Sequence, residues 1–169
     1  MRTEALAAAV GCATLLAART ARAEGWLDHF EFGVAPEITL VGLAGGARAQ
    51  VHWRPGGPRT VSRVVLAPGV LIGPEFNYVP VALGYRAIFR AGSVVRPIVG
   101  AGLEYQHRWV DDAPSARQFA IYLEFGSLFA VAPQWNVGLA AGMDVTFAGG
   151  MGFGLLGRAI VTWSPAPSR

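Results

Sequence analysis

The chain has 169 residues, of which 53% are hydrophobic and 15% charged, with 22 Gly and a formal net charge of +3. That length suits one domain and is short for two, and after the N-terminus no apolar run is long enough for a membrane-spanning helix. All 14 basic residues are Arg; without the first 23 residues, 11 Arg stand against 10 acids, far from the basic patch that nucleic-acid binding requires.

Residues 1–23 read as a secretory signal peptide: Arg2 gives a positive start, Ala5 to Ala18 an apolar segment, and Ala21-Arg22-Ala23 the small residues of a cleavage site before Glu24. Cys12 follows Val10-Gly11, as in a lipoprotein, but the apolar segment continues beyond it through Leu15 and Leu16, which favours simple cleavage. The mature chain, residues 24–169, then holds no cysteine, and neither disulfides nor thiolate chemistry is expected.

From residue 30 onward the sequence alternates. A strand turns successive side chains to opposite faces, and eight segments show one apolar face and one small or polar face. Strand one spans about 30–41, with Phe30, Phe32, Val34, Pro36, Ile38 and Leu40 against Glu31, Gly33, Ala35, Glu37 and Thr39. Pro36 cannot donate to a ladder and predicts a bulge or gap. Strand two, 47–53, sets Ala47, Ala49, Val51 and Trp53 against Arg48, Gln50 and His52, and the turn Arg54 to Arg59 follows. Strand three, about 61–72, is the least regular, with Val64, Leu66, Pro68, Val70 and Ile72 against Arg63, Val65, Ala67, Gly69 and Leu71.

Strand four, 78–90, alternates cleanly and turns through Ala91-Gly92-Ser93 into strand five, 94–108. The longest polar connection, Trp109 to Ala116, leads to strand six, 117–131, and Ala132-Pro133 to strand seven. Strand seven, Gln134 to Phe147, is the most regular: Trp135, Val137, Leu139, Ala141, Met143, Val145 and Phe147 share one parity, and Asn136, Gly138, Ala140, Gly142, Asp144 and Thr146 the other. It is long for a soluble strand, typically about five or six residues, and suits a tilted bilayer crossing, which needs roughly nine to eleven. Gly149-Gly150 turns into strand eight, 151–163. Eight strands in a meander of hairpins predict an all-β, closed, antiparallel up-and-down transmembrane barrel, because closure removes edges that lipid does not tolerate.

A soluble ligand-binding barrel would turn the apolar face inward, and a membrane barrel the reverse. Small residues favour the crowded interior of an eight-stranded barrel, which is just wide enough for side chains to fill, and the glycines share a face with the charges. The expected lumen charge network is Glu31, Glu37, Arg48, Arg63, Arg86, Arg96, Glu104, Glu124, Asp144 and Arg158, with Gly100, Gly102, Gly138 and Gly142 making room for it. The expected aromatic girdle has Phe30, Trp53, Phe89, Phe129, Trp135 and Trp163 at the end holding the termini, and Tyr78, Tyr105 and Phe147 at the other. Short turns are expected at the terminal end and longer loops opposite.

This pattern, with phrases such as Val95-Arg96-Pro97-Ile98-Val99-Gly100-Ala101-Gly102-Leu103-Glu104-Tyr105, resembles the small outer-membrane barrels of the OmpA-transmembrane, OmpX and OmpW type across about residues 30–163. The resemblance implies an outer-membrane location, a bilayer with lipopolysaccharide as surroundings, the barrel-insertion machinery as a partner, and a monomer. Members usually end on an aromatic residue; here Trp163 is followed by Ser164 to Arg169.

No catalytic, cofactor or metal site is expected. His29, His52 and His107 lack metal-ligand spacing, and Ser62, Ser93, Ser115 and Ser127 do not sit in the His-x-Ser-Asn pattern of the small barrel deacylases. Asp111-Asp112 falls short of a cation site and reads as solvated loop. Three functions stay open: a plugged barrel with a structural or cell-surface role, a narrow channel for ions or small hydrophobic solutes, and an enzyme acting on envelope lipid.

Overall fold

The computed structural model describes residues 25–40, 43–56, 61–74, 77–89, 93–109, 115–147 and 151–165. The expected signal peptide, Arg59, Arg90, the expected Ala91-Gly92 and Gly149-Gly150 turns and the Asp111-Asp112 pair lie outside them.

After a 3-10 turn at Gly25–His29, the chain forms β1 (Phe30–Thr39), β2 (Gly45–Trp53), β3 (Ser62–Ile72), β4 (Asn77–Ile88), β5 (Val95–Trp109), β6 (Ala116–Ala132), β7 (Trp135–Phe147) and β8 (Met151–Trp163). Each strand pairs antiparallel with its sequence neighbours, and β1 closes on β8, so the sheet is a closed up-and-down barrel. Strands β4 to β8 each have 12 or more residues, enough to cross the roughly 30 Å of a hydrocarbon layer at a tilt.

The alternation in sequence is an alternation in burial. On β7, Asn136, Gly138, Ala140 and Gly142 are buried while Trp135, Val137, Leu139 and Ala141 are exposed. Leu139 is 67% exposed and Leu103 63%, whereas Arg48 is 1% and Glu37 2% exposed. The barrel therefore has a soluble domain's polarity inverted, with charge inside and a continuous apolar band outside. The band runs through Val34, Leu66, Leu83, Val99, Leu123, Phe125 and Leu139, a contiguous exposed apolar surface of the kind that marks a membrane or protein contact.

Two expectations need correction. Tyr78 is not a girdle residue: it has the parity of Ala82 and Arg86, is only 6% exposed, and packs with Ala44 and Leu71 inside the barrel. The longest connection is 54–61 at the terminal end, exceeding 110–115 at the opposite end, so loop length does not orient this barrel. Between β1 and β2, Thr39 N donates to Ala44 O at 2.8 Å, Ala44 N donates back to Thr39 Oγ1 at 3.2 Å, and Leu43 takes a left-handed φ of 47°.

The prolines leave identifiable gaps. Along β1–β8 the register passes from Val34↔Val161 directly to Glu37↔Arg158, skipping Ala35 and Pro36, while β1–β2 runs unbroken through Pro36↔Ala47. The missing Pro36 N–H therefore faces β8. Pro68 leaves the same kind of gap toward β2, between Arg48↔Gly69 and Val51↔Leu66. By contrast β5–β6 pairs continuously from Val95↔Phe129 to Arg108↔Ala116.

Candidate functional site: a charge network across the lumen

Because the polar parity of every strand points inward, residues distant in sequence meet on the barrel axis. Arg48 on β2 forms a two-pronged pair with Glu37 on β1, Nε to Oε2 and Nη2 to Oε1, both 2.7 Å. Its remaining arm, Nη1, crosses the lumen to Glu104 Oε2 on β5 at 2.6 Å. Arg158 on β8 bridges from the other side, with Nε on Glu37 Oε2 and Nη1 on Glu124 Oε2 of β6 at 2.9 Å. Arg86 on β4 completes Glu124 through Nε to Oε1 at 2.6 Å. The result is an alternating chain, Arg86–Glu124–Arg158–Glu37–Arg48–Glu104. Each carboxylate meets an arginine and each arginine a carboxylate, which makes full burial tolerable; a buried charge stripped of its partner would cost several kcal/mol. The planar guanidinium fork is the group that can bridge two carboxylates in this way.

Neutral side chains extend the network. Gln106 Nε2 donates to Glu104 Oε1 at 2.7 Å and lies 3.5 Å from Asp144 Oδ2, while Gln118 Nε2 donates to Gln106 Oε1. On the other flank Gln50 Oε1 lies 3.4 Å from Arg86 Nη1 and 3.0 Å from His52 Nε2. Tyr122 places its ring 5.7 Å from the Arg158 guanidinium.

The ten acids and bases expected in one network are thus divided. Glu37, Arg48, Arg86, Glu104, Glu124 and Arg158 form the central chain. Glu31 and Arg63 form a separate pair at 3.5 Å, with His52 Nδ1 at 3.7 Å from Glu31. Arg96 points inward but spends its donors on neutral acceptors, Ser93 O and Asn136 Oδ1, both at 2.9 Å. Asp144 meets an amide, not the arginines expected around it. The glycines also serve other neighbours than expected. A Cβ on Gly100 would sit 2.6 Å from Glu124 Oε1, but on Gly102 it would meet the Tyr122 ring, on Gly138 Leu128, and on Gly142 Leu156.

Below the network, toward the termini, Ala35, Ile88, Ile98, Leu128, Ala140 and Ile160 form an apolar cluster. Ala35, Ile88 and Ile160 each lie two positions closer to the terminal end of their strands than Glu37, Arg86 and Arg158. Two open cavities of about 200 Å³ flank this double plug. One, at the terminal end, is lined by Asp28, Glu31, Arg54, Arg63, Arg96 and Asn136, among others. The other, at the opposite mouth, is lined by Tyr78, Gln106, Arg108, Gln118, Asp144 and Thr146, among others. They share no lining residue.

The remaining candidates are engaged elsewhere. His29 Nδ1 donates to Arg54 O at 3.1 Å, and His107 packs beside Trp109 with ring centroids 6.2 Å apart. Ser127 lies on the outward parity of β6, opposite Leu139. Of the girdle, Trp53, Phe89, Phe129 and Trp135 are exposed at the terminal end and Phe147 at the other; Phe30 stacks on Phe32, which stacks on Trp163, and Tyr105 leans on Phe119 at 5.4 Å. Sequence reasoning missed Arg54, which reads as a turn residue. Its Nη2 donates to Asp28 O at 2.5 Å and Phe30 O at 3.0 Å, tying the chain before β1 to the end of β2.

No family model and no curated protein matches the sequence. Solved structures do match the fold. The N-terminal β-barrel domain of Pseudomonas aeruginosa OprF superposes with a TM-score of 0.59 at 13% identity, over 79% of this chain and 96% of that one. Neisserial surface protein A, NspA, gives 0.54 at 18% identity, over 80% and 94%. The outer membrane enzyme PagL gives 0.50 at 17% identity, over 80% and 99%. At these identities the likeness is one of fold: the chain has the architecture of the small eight-stranded outer-membrane barrels.

Proposed function

We propose that this chain is an exported, monomeric outer-membrane protein whose plugged barrel has a structural or cell-surface role. The apolar outer band would sit in the bilayer, with lipopolysaccharide on the outer leaflet and the barrel-insertion machinery as its assembly partner. The observation that carries the plugged reading is the unbroken chain of ion pairs from Arg86 to Glu104, backed by the apolar cluster beneath it. An ion crossing this lumen would have to part charge-assisted hydrogen bonds, each worth about 1.5–3 kcal/mol.

Planar-bilayer recording tests it. The purified barrel should give no steady unit conductance, and reproducible channels would refute the plug. A second reading, a narrow gated path, draws on the two cavities that enter the barrel from opposite ends, and the same recording separates it from the first. A third, an enzyme acting on envelope lipid, draws on the fold shared with PagL; release of acyl chains from lipid A by the purified protein would overturn both others. Heat-modifiable gel migration tests the barrel itself, since identical mobility with and without boiling would count against it.

A further inference from the structure

The cavity at the terminal end has a charge composition unlike that of the lumen above it. In the central network three arginines meet three glutamates in direct contact. In the cavity three arginines, Arg54, Arg63 and Arg96, face two acids, Asp28 and Glu31. Glu31 is already engaged by Arg63 and His52. The guanidinium of Arg96 is held by a backbone carbonyl and a neutral amide. That of Arg54 is held by two backbone carbonyls and the Ser164 hydroxyl. Arg54 is only 5% exposed, and its Nε is buried without a hydrogen-bond partner among the described residues. Arg63 lies close enough to feel the repulsion of both Arg54 and Arg96. Arg54 also lies close enough to feel the attraction of Glu31 and Asp28, but three arginines against two acids, with Arg96 held by neutral acceptors alone, leave the cavity an excess of positive charge that favours an anion.

The form of the anion follows from the donors. Guanidinium groups from the end of β2, from β3 and from β5 line one space, and guanidinium is the cation suited to the oxygens of a phosphate or carboxylate. Donors arriving from three strands match an ion that offers oxygens in three directions better than a planar carboxylate. A cavity of about 200 Å³ holds such an ion with part of its hydration. We propose that this cavity is a binding site for a phosphate group, with Arg96, Arg63 and Arg54 as its cationic donors and Asn136 as the residue that aims Arg96. The phosphate could be the free ion or the headgroup of a phospholipid reaching the barrel mouth.

The test is titration calorimetry on the full barrel, refolded in an amine-oxide detergent, which carries no phosphate. The probes are inorganic phosphate, glycerophosphoglycerol as the lipid headgroup, and acetate. Wild type should bind phosphate saturably, one per barrel, and more tightly than acetate. Binding of phosphate alone assigns the free ion, and binding of the phosphodiester as well assigns the headgroup also. Arg96→Gln removes a charge whose partners are neutral, so it orphans no acid; it should weaken binding at least tenfold. Arg108→Gln, in the cavity at the other mouth, should leave binding unchanged. Should Arg96→Gln fail to reach the heat-modifiable form, Asn136→Asp replaces it, because a carboxylate beside Arg96 should abolish binding. The absence of saturable phosphate binding at millimolar concentration would overturn the proposal, as would binding that neither variant weakens or that Arg108→Gln weakens equally.

Discussion

Arg48 carries the largest share of the central network, and its removal is the sharpest test of that network. Arg48→Met keeps most of the aliphatic stem and deletes three charge-assisted bonds, two to Glu37 and one to Glu104. Gross loss at about 1.5–3 kcal/mol per bond would be large, but the two acids do not suffer equally. Glu37 retains Arg158, whereas Glu104 is left with the amide of Gln106. The cost is therefore that of one buried carboxylate losing its cation, about 3–5 kcal/mol. Arg158→Met deletes fewer bonds, and both of its acids keep a second arginine, Glu37 with Arg48 and Glu124 with Arg86. It should cost clearly less. Urea titration of the refolded barrel in detergent, followed by tryptophan fluorescence and by the heat-modifiable band, gives both values. Adding Glu104→Gln to Arg48→Met removes the orphaned acid and should recover part of the loss, a coupling within about 0.5–3 kcal/mol. Equal costs for the two arginines, a reversed order, or no recovery in the double variant would refute the bond-by-bond reasoning.

Three further outcomes follow from other parts of the barrel. Leu139→Arg, at a 67% exposed position on the apolar band, should destabilise the bilayer-inserted barrel by about 2–4 kcal/mol if it lies near the midplane, measured by the same titration in lipid vesicles; a negligible effect would mean that this face does not meet lipid. Gly100→Val would press into Glu124, whose Cγ lies 2.8 Å from an added Cβ, and overpacking of this kind costs about 1–3 kcal/mol; an unchanged urea midpoint would show that Glu124 can yield. In amide hydrogen exchange, β1 and β8 should lose protection around the Ala35–Pro36 gap before β5 and β6 do, and uniform protection around the barrel would refute that order.

Much of the fold was readable from parity alone. Strand positions came within about two residues because an inward Arg or Glu beside an outward Leu or Val leaves no doubt about a period of two. Tyr78 shows where parity was overruled by residue type: an aromatic near a strand end reads as girdle, yet its position an even number of residues from Arg86 puts it inside. The site was readable as a set of residues but not as a set of pairs. Glu37 meets Arg158 from 121 residues away, and Glu104 meets Arg48 across the lumen rather than along a strand. Such partners depend on shear and tilt, which alternation does not encode. Arg96 and Glu124 have the same inward parity, yet Arg96 meets an amide and a carbonyl where Glu124 meets two arginines, because depth along the axis, not face, separates them.

Ion pairs also stand beside two of the ladder gaps that prolines leave. Pro36 breaks the β1–β8 ladder just before Glu37↔Arg158, and at that register position Arg158 donates from β8 to Glu37 on β1. Pro68 breaks β2–β3 beside Arg48↔Gly69, and Arg48 there grips β1 on one side and β5 on the other. The β1–β8 ladder is thus spanned from inside by an ion pair and the β2–β3 ladder flanked by one, while the β3–β4 ladder, broken between Pro68↔Val81 and Leu71↔Tyr78, has no ion pair between its two strands among the described residues, and the unbroken β1–β2 ladder carries the two-pronged Arg48–Glu37 pair. A lumen needed only to be filled could have been filled with leucine and alanine, as the apolar cluster below the network is. Charge at this depth adds what apolar packing lacks, directional bonds between particular strands. At Pro36 it lies where the wall's own hydrogen bonds are missing, so there the plug also helps to close the barrel.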